Sequence, residues 1–149
     1  MNLLAKATRG KIGRFSAEQK PTRRGLTDKQ KEFVTKSSGV FGCYLLYDNT
    51  GKRYVGKSFD IGQRLMTHFC GAYKDFMGSI VVFDLTKIVS EMNHAEAREY
   101  LSYYERMLIR KFSPSDNRKM KKNAVSWASF CNLTPKVQSV IMKEVESVL

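Results

Sequence analysis

The sequence predicts one α/β domain (α+β) built on a small three-stranded antiparallel sheet that is flanked by helices. Two strand-like runs, VFGCYLLY at 40–47 and KRYVGKS at 52–58, are separated by the turn sequence DNTG, which is typical of a β-hairpin. A third apolar run, SIVVFDL at 79–85, predicts a buried strand. Because helical patterns follow the hairpin and the third strand, the predicted order is ββαβα.

Capping residues mark the start of each predicted helix. The helix after the hairpin carries apolar residues at helical spacing, and the long helix after the third strand ends near Phe112, where Pro114 stops it. Short helices are also expected before the hairpin and at the end of the chain. The residues or pairs that begin these helices are Thr27 with Gln30, Asp60 with Gln63, Asn93 with Glu96, and Thr134 with Pro135.

The chain divides into three parts by composition. Residues 1–38 are rich in Lys and Arg, are interrupted by Gly and Pro, and predict a basic N-terminal extension. Residues 39–117 carry the strands and helices of the compact domain. Residues 118–149 begin with the basic run RKMKK and continue into a C-terminal helix with a valine-rich stripe. We expect this helix to pack on its own domain, with a homodimer contact as the alternative.

The charge balance predicts a polyanionic partner. The 149 residues contain 26 Lys and Arg against 14 Asp and Glu, a net charge of +12 that a polyanion would neutralise. Nucleic acid is the first candidate, and a membrane surface is the second. The sequence contains no apolar run of the ~18 residues that a membrane span needs, and its N-terminus does not resemble a secretory signal.

The three cysteines favour a reducing compartment. Cys43, Cys70 and Cys131 are odd in number and far apart, which is unlike a disulfide framework. We therefore expect a cytoplasmic protein, in the host cytoplasm if the chain is phage-encoded. His68 stands close to Cys70, but no second pair accompanies it, and we expect all three cysteines to be small buried thiols rather than metal ligands.

Polar residues on two predicted helices are candidates for chemistry. Arg64 and His68 are four positions apart and therefore share one face of their helix. Glu105 lies at helical spacing from Leu101 and Leu108, on or beside the stripe that should face the sheet, and Glu99 is the alternative if the helical phase differs. A buried carboxylate needs a charge partner or a metal. Arg64 could be that partner, and a bound metal is the alternative.

Together these residues carry a resemblance. Six elements occur in one order along residues 39–117: Gly42-Cys43-Tyr44, Tyr54-Val55-Gly56-Lys57-Ser58, Arg64, His68, Glu105 and Asn117. This set resembles the GIY-YIG nuclease family, which includes the N-terminal incision domain of the excision-repair subunit UvrC, phage homing endonucleases and some restriction enzymes. Cys43 and Val55 replace the family's isoleucines, and strand alternation places both on the sheet face opposite the tyrosines.

The resemblance implies a metal-dependent DNA endonuclease that hydrolyses phosphodiester bonds. It implies Tyr44 as general base, with Tyr54 bonded to the water or the phosphate and His68 assisting. His68 titrates near neutral pH by nature, so direct action as the base is an alternative. Arg64 would stabilise the phosphate, and positive charge around Tyr44 would lower its pKa. Glu105 would hold one Mg²⁺, for which Mn²⁺ is an expected substitute.

Further residues are assigned to substrate or to structure. Gly42 and Gly56 would let backbone and phosphate approach closely, and Asn117 would hold the local backbone. The expected partner is double-stranded DNA rather than a membrane. A non-catalytic nucleic-acid-binding protein that retains the fold is the rival hypothesis, and restriction, mobile-element, phage and repair roles all stay open. The expected phosphate-binding residues are Lys57, Arg118, Lys119, Lys121 and Lys122.

Overall fold

A computed structural model describes residues 14–16, 25–117 and 126–148 of the chain. Its sheet has the order β1-β4-β2-β3, and every neighbouring pair is antiparallel. The three predicted strands, β2 to β4, form as expected, so the predicted fold class is confirmed. The strands are β1 (Arg14–Ser16), β2 (Gly42–Asp48), β3 (Gly51–Ser58) and β4 (Ser79–Asp84).

A fourth strand comes from the basic N-terminal extension. The three residues of β1 pair with β4, with Arg14 opposite Val81. A run of three residues is too short to show an alternation pattern in the sequence. It forms a strand because the open edge of β4 supplies its hydrogen-bond partners. The extension therefore adds an edge strand to the sheet.

Six helices lie in the described part of the chain. The predicted caps form: the Thr27 and Asn93 side chains make capping boxes with Gln30 and Glu96, and the Asp60 side chain accepts from the backbone of Gln63. Two short helices, α3 and α5, were not predicted. The helices are α1 (Asp28–Lys36), α2 (Ile61–Cys70), α3 (Thr86–Val89), α4 (His94–Phe112), α5 (Trp127–Cys131) and α6 (Pro135–Val148).

The sheet separates two apolar cores. On one face Cys43 and Val55 pack with residues of α4 and α6, among them Leu108 and Val137. On the other face Tyr44 belongs to the core formed with α1 and α2. Alternate residues of β2 therefore face opposite helices, as strand geometry requires. Helix α6 contributes to the core of its own domain.

The cysteine prediction is only partly correct. Cys43 is buried in the sheet, but Cys70 and Cys131 are exposed, and none of the three forms a disulfide. Each exposed cysteine is the last residue of its helix, and the short helix that ends at Cys131 buries none of its residues. In the described residues, no helix is long and apolar enough to cross a membrane.

Candidate active site

The two motif tyrosines lie side by side on β2 and on the neighbouring edge strand β3. Tyr44 on β2 is opposite Gly56 on the edge strand β3, and Tyr54 is opposite Leu46. Tyr44 is fully buried and Tyr54 half-buried, with their ring centroids 6.2 Å apart. A Cβ atom at Gly56 would lie 2.4 Å from the Tyr44 hydroxyl oxygen, so only glycine leaves room for that hydroxyl.

Helix α2 brings Arg64 and His68 to the tyrosines. The Tyr44 hydroxyl is 2.7 Å from Nε2 of His68. Burial, aided by the charge of Arg64, lowers the pKa of His68 to about 4, so its imidazole is neutral at pH 7. Nε2 of the neutral ring can therefore accept the hydrogen bond that the Tyr44 hydroxyl donates.

Burial dominates the titration of Tyr44. It raises the pKa of Tyr44 well above its ordinary value, and nearby Tyr54 adds to the rise. The Arg64 guanidinium, which interacts with both tyrosine hydroxyls, opposes it. The expectation that surrounding positive charge lowers the pKa of Tyr44 is therefore wrong for the free protein, because desolvation outweighs Arg64.

Glu105 reaches the site from the opposite side of the sheet. It is on α4, which packs on the other face, but β3 is an edge strand, so a side chain of α4 can approach around it. Glu105 is 7% exposed, and burial raises the pKa of its carboxyl group against the opposing charges of Lys57, Arg106 and Arg64, in that order. The buried carboxylate predicted on α4 is thus present, next to the motif cluster.

The charge partner of Glu105 is Lys57. Nζ of Lys57 is 3.9 Å from Oε1 of Glu105 and donates a hydrogen bond to Oγ of Ser102 at 2.6 Å. Arg64, considered as the partner from sequence, acts on Glu105 only through its longer-range charge. Ser102 was not singled out from the sequence, although its position one helical turn before Glu105 was a usable signal.

The donor set suits a cation that keeps most of its water. No group of three or more His, Cys, Asp or Glu side chains that could hold a metal exists among the described residues. Glu105 supplies one carboxylate in a dry position, where its raised pKa reflects incomplete compensation of its charge. Mg²⁺ is often held by one or two carboxylates with water in its remaining positions, so these residues fit it.

Asn117 holds the edge strand in place. Its Oδ1 accepts a hydrogen bond from the Val55 amide at 2.8 Å, and its Nδ2 donates one to the Val55 carbonyl at 2.9 Å. These bonds satisfy both backbone groups of a residue between Tyr54 and Gly56. Asn117 therefore positions the backbone that carries the site.

A polar network behind the site was missed from the sequence. The Tyr73 hydroxyl donates to Asp116 at 2.7 Å, and Arg53 bridges Asp116 and Asp48 at 3.3 and 2.8 Å. The Tyr73 ring packs edge-on against His68 with centroids 5.2 Å apart. Tyr73 follows α2 in a loop and belongs to no recognisable pattern, so only the tertiary structure reveals this contact.

The remaining assigned residues have mixed outcomes. A Cβ atom at Gly42 would lie 2.0 Å from the Phe83 carbonyl oxygen, so this glycine allows the backbones of β2 and β4 to approach closely. The approach of phosphate to Gly42 stays a prediction. Lys57 lies at the site, half-buried. Four of the assigned phosphate-binding residues lie outside the described residues: Arg118, Lys119, Lys121 and Lys122.

Several polar groups lie together at one edge of the sheet: a hydroxyl bonded to a neutral imidazole, a guanidinium, a lysine and a buried carboxylate. A model of the GIY-YIG catalytic domain matches residues 40–123, more than half of the chain. The chain therefore belongs to the GIY-YIG family, whose catalytic domain is that of endonuclease-type enzymes. Among the curated proteins and the solved structures there is no significant match.

Proposed function

We propose that this protein is a metal-dependent DNA endonuclease that hydrolyses phosphodiester bonds at the cluster of Tyr44, Arg64, His68 and Glu105. The observation that carries the proposal is the pair of Tyr44 and His68 at 2.7 Å, close to a buried carboxylate that belongs to the opposite face of the sheet. A binding protein gains nothing from a buried, incompletely compensated carboxylate, which lowers stability. A metal-dependent hydrolase can use such a carboxylate as a metal ligand.

The cations of the site suit a phosphodiester. Arg64 is exposed and offers a planar set of donors that matches phosphate oxygens. Lys57, held by Ser102, supplies a point charge on the Glu105 side of the site. These charges would stabilise the additional negative charge that develops as phosphorus is attacked. The net charge of +12 favours a polyanionic substrate such as double-stranded DNA.

The attacking water is deprotonated through Tyr44 and His68. The water proton passes to the Tyr44 oxygen while the hydroxyl proton of Tyr44 passes to Nε2 of His68, so no tyrosinate needs to form beforehand. The water oxygen bonds to phosphorus, the bond to the leaving oxygen breaks, and solvent protonates that oxygen. Because Tyr44 is covered in the free protein, Arg64 has to turn from the hydroxyls to the phosphate before water reaches them.

Glu105 would hold the divalent cation, Mg²⁺ or its substitute Mn²⁺. When bound, this ion supplies Lewis-acid stabilisation of negative charge on the phosphate and the leaving oxygen. Lys57 would keep its 2.6 Å hydrogen bond to Ser102 and give up the longer 3.9 Å ion pair with Glu105, which leaves its charge available to the phosphate.

Plasmid nicking tests the proposal directly. We expect supercoiled DNA to be nicked in the presence of Mg²⁺ or Mn²⁺, and not in excess EDTA, because chelation leaves Glu105 without a cation. Cleavage that is unaffected by EDTA would contradict the assigned metal role. Well-folded protein that binds DNA but never nicks it with either metal would support the rival, a nucleic-acid-binding protein that has kept the fold.

Substitution of the tyrosines separates their roles. Tyr44→Phe removes the hydroxyl that relays the proton, and we expect kcat to fall by about 10²–10⁴-fold. Tyr54→Phe leaves the pair of Tyr44 and His68 intact, so a loss of roughly tenfold is expected. Single-turnover nicking rates with saturating Mg²⁺ measure both. A larger loss for Tyr54→Phe would make Tyr54 the base.

The pH dependence distinguishes the relay from direct action by His68. With the pKa of His68 lowered to about 4, the imidazole stays neutral as pH falls from 7 to 5. The relay therefore keeps its acceptor over this range. With Mg²⁺ at saturation, so that the cation keeps Glu105 ionised, the single-turnover rate should decline only near pH 4. An acidic limb centred near the ordinary histidine value of ~6.5 would show an unburied His68 acting on its own.

A further inference from the structure

A polar stripe runs along α4 away from Glu105. Ser102, Arg98 and His94 follow at spacings of three, four and four residues, so all lie on one face of the helix. At 1.5 Å per residue, the stripe extends about 16 Å from Glu105 to the first residue of α4. It runs beside the end of β3, to which Lys57 and Ser58 belong.

Contacts with the edge strand and its continuation hold this stripe in place. Lys57 donates to Ser102 at 2.6 Å, and Nη2 of Arg98 donates to Nε2 of His94 at 3.2 Å. The His94 ring stacks on Phe59, with centroids 4.8 Å apart and planes inclined by 29°. Arg98 is therefore held by a histidine that an aromatic ring supports, although its own side chain is exposed.

A small cavity of about 90 Å³ separates Arg98 from the active site. It is lined by Lys57, Ser58, Phe59, Arg98 and Leu101. Of these residues, the buried Leu101 and the half-buried Phe59 give the cavity its apolar part, and Lys57 and Arg98 give it positive charge. The cavity is well below the ~300 Å³ of sites that enclose small-molecule ligands, so it fits a short segment of an extended chain instead.

Lys57 and Arg98 give the stripe positive charge, and Glu105 offsets that charge only at the Lys57 end. Among the described residues, no carboxylate lies within ion-pair distance of Arg98. Glu96, the acidic residue in the first turn of α4, is engaged by Lys136 at 3.7 Å and by the backbone of Asn93. The N-terminal end of α4, where the stripe ends, adds the positive pole of the helix dipole.

We propose that this stripe, Lys57 with Ser102, Arg98 and His94, binds the sugar–phosphate backbone of DNA next to the scissile phosphate. Arg98 contacts a flanking phosphate, and the apolar part of the cavity packs against the sugar between it and Lys57. This inference rests on the proposed function, since it takes DNA as the substrate. To the phosphate contact already expected at Lys57 it adds three residues of α4 outside the motif residues of the family: Ser102, Arg98 and His94.

The test compares Arg98→Ala with Arg110→Ala as a matched control. Arg110 is also exposed and on α4, but it lies beyond Glu105 on a different face of the helix. Anisotropy of a fluorescein-labelled duplex in EDTA, titrated at several salt concentrations, gives affinity and its salt slope for each protein. Arg98→Ala should weaken binding roughly twofold to fivefold at low salt, the range for one exposed ion pair. It should also reduce the salt slope by about one.

Nicking kinetics provide the second readout. Because Arg98 contacts a flanking phosphate rather than the reacting one, Arg98→Ala should raise KM and leave kcat unchanged. The proposed DNA contact at the stripe would be overturned if Arg98→Ala had the same salt slope as the wild type. It would also be overturned if Arg110→Ala lost as much DNA affinity as Arg98→Ala. In either case, nicking by the wild type would still support an endonuclease. Wild-type protein that neither binds nor nicks the duplex would overturn both proposals together.

Discussion

Glu105→Gln is expected to abolish Mg²⁺-dependent nicking, with a loss of at least about 10³-fold in kcat. The amide keeps the shape of the side chain but cannot hold a hydrated cation as the carboxylate does. At neutral pH the same substitution should leave the free energy of unfolding unchanged or raise it by up to about 1 kcal/mol.

The sign of the stability change follows from the pKa. Burial raises the pKa of Glu105 in the folded protein, so its stabilising contribution is present at low pH, where the group is protonated, and is lost as pH rises through the folded value. Glutamine resembles the protonated form at every pH. Urea denaturation should therefore show that Glu105→Gln raises the free energy of unfolding by less at pH 5 than at pH 7.

Glu99→Gln is the matched control for this experiment. Glu99 lies on the same helix, and its Oε1 accepts a hydrogen bond from the Thr134 amide at 2.9 Å, which a glutamine can also accept. We expect its nicking rate to equal that of the wild type. If both variants lost the same nicking activity, the loss would reflect a change of charge on α4 rather than a specific role of Glu105. If Glu105→Gln nicked DNA as fast as the wild type, Glu105 would not be the metal ligand.

Gly56→Ala is expected to disable the site by steric displacement. The added methyl group would lie 2.4 Å from the hydroxyl oxygen and 2.5 Å from Cζ of the buried Tyr44 ring, and 2.8 Å from Cε1 of Tyr54. Because Tyr44 has no free space around it, the ring must shift and its 2.7 Å contact with His68 must lengthen. We expect nicking to fall by about 10²-fold or more and the free energy of unfolding to fall by about 1–3 kcal/mol.

Gly71→Ala provides a comparison outside the site. Gly71 follows α2, and its added Cβ would meet only the Thr67 carbonyl oxygen, at 3.2 Å. Its effect on nicking should be small. Thermal unfolding and nicking rates of the two variants should be measured side by side. Full activity of Gly56→Ala at a temperature where it is folded would contradict the steric account.

Most of the fold could be predicted because local patterns agree with the final packing. Strand alternation placed Cys43 and Tyr44 on opposite faces of the sheet, and the caps Asp60 and Asn93 placed the starts of α2 and α4. Strand β1 could not be predicted, since three residues at a sheet edge depend on a distant partner. The exposure of Cys131 at the end of the unpredicted helix α5 had the same cause, a context that local pattern does not contain.

By itself the sequence predicted which residues would lie together, because helical spacing places Arg64 with His68 and puts Glu105 on or beside the apolar stripe of α4. The tertiary structure decided how they are related: Lys57 rather than Arg64 pairs with Glu105, and Tyr44 bonds to a neutral His68. The physical reason is that pairing and desolvation depend on distances across the sheet edge. Periodicity along one helix or strand carries no information about those distances.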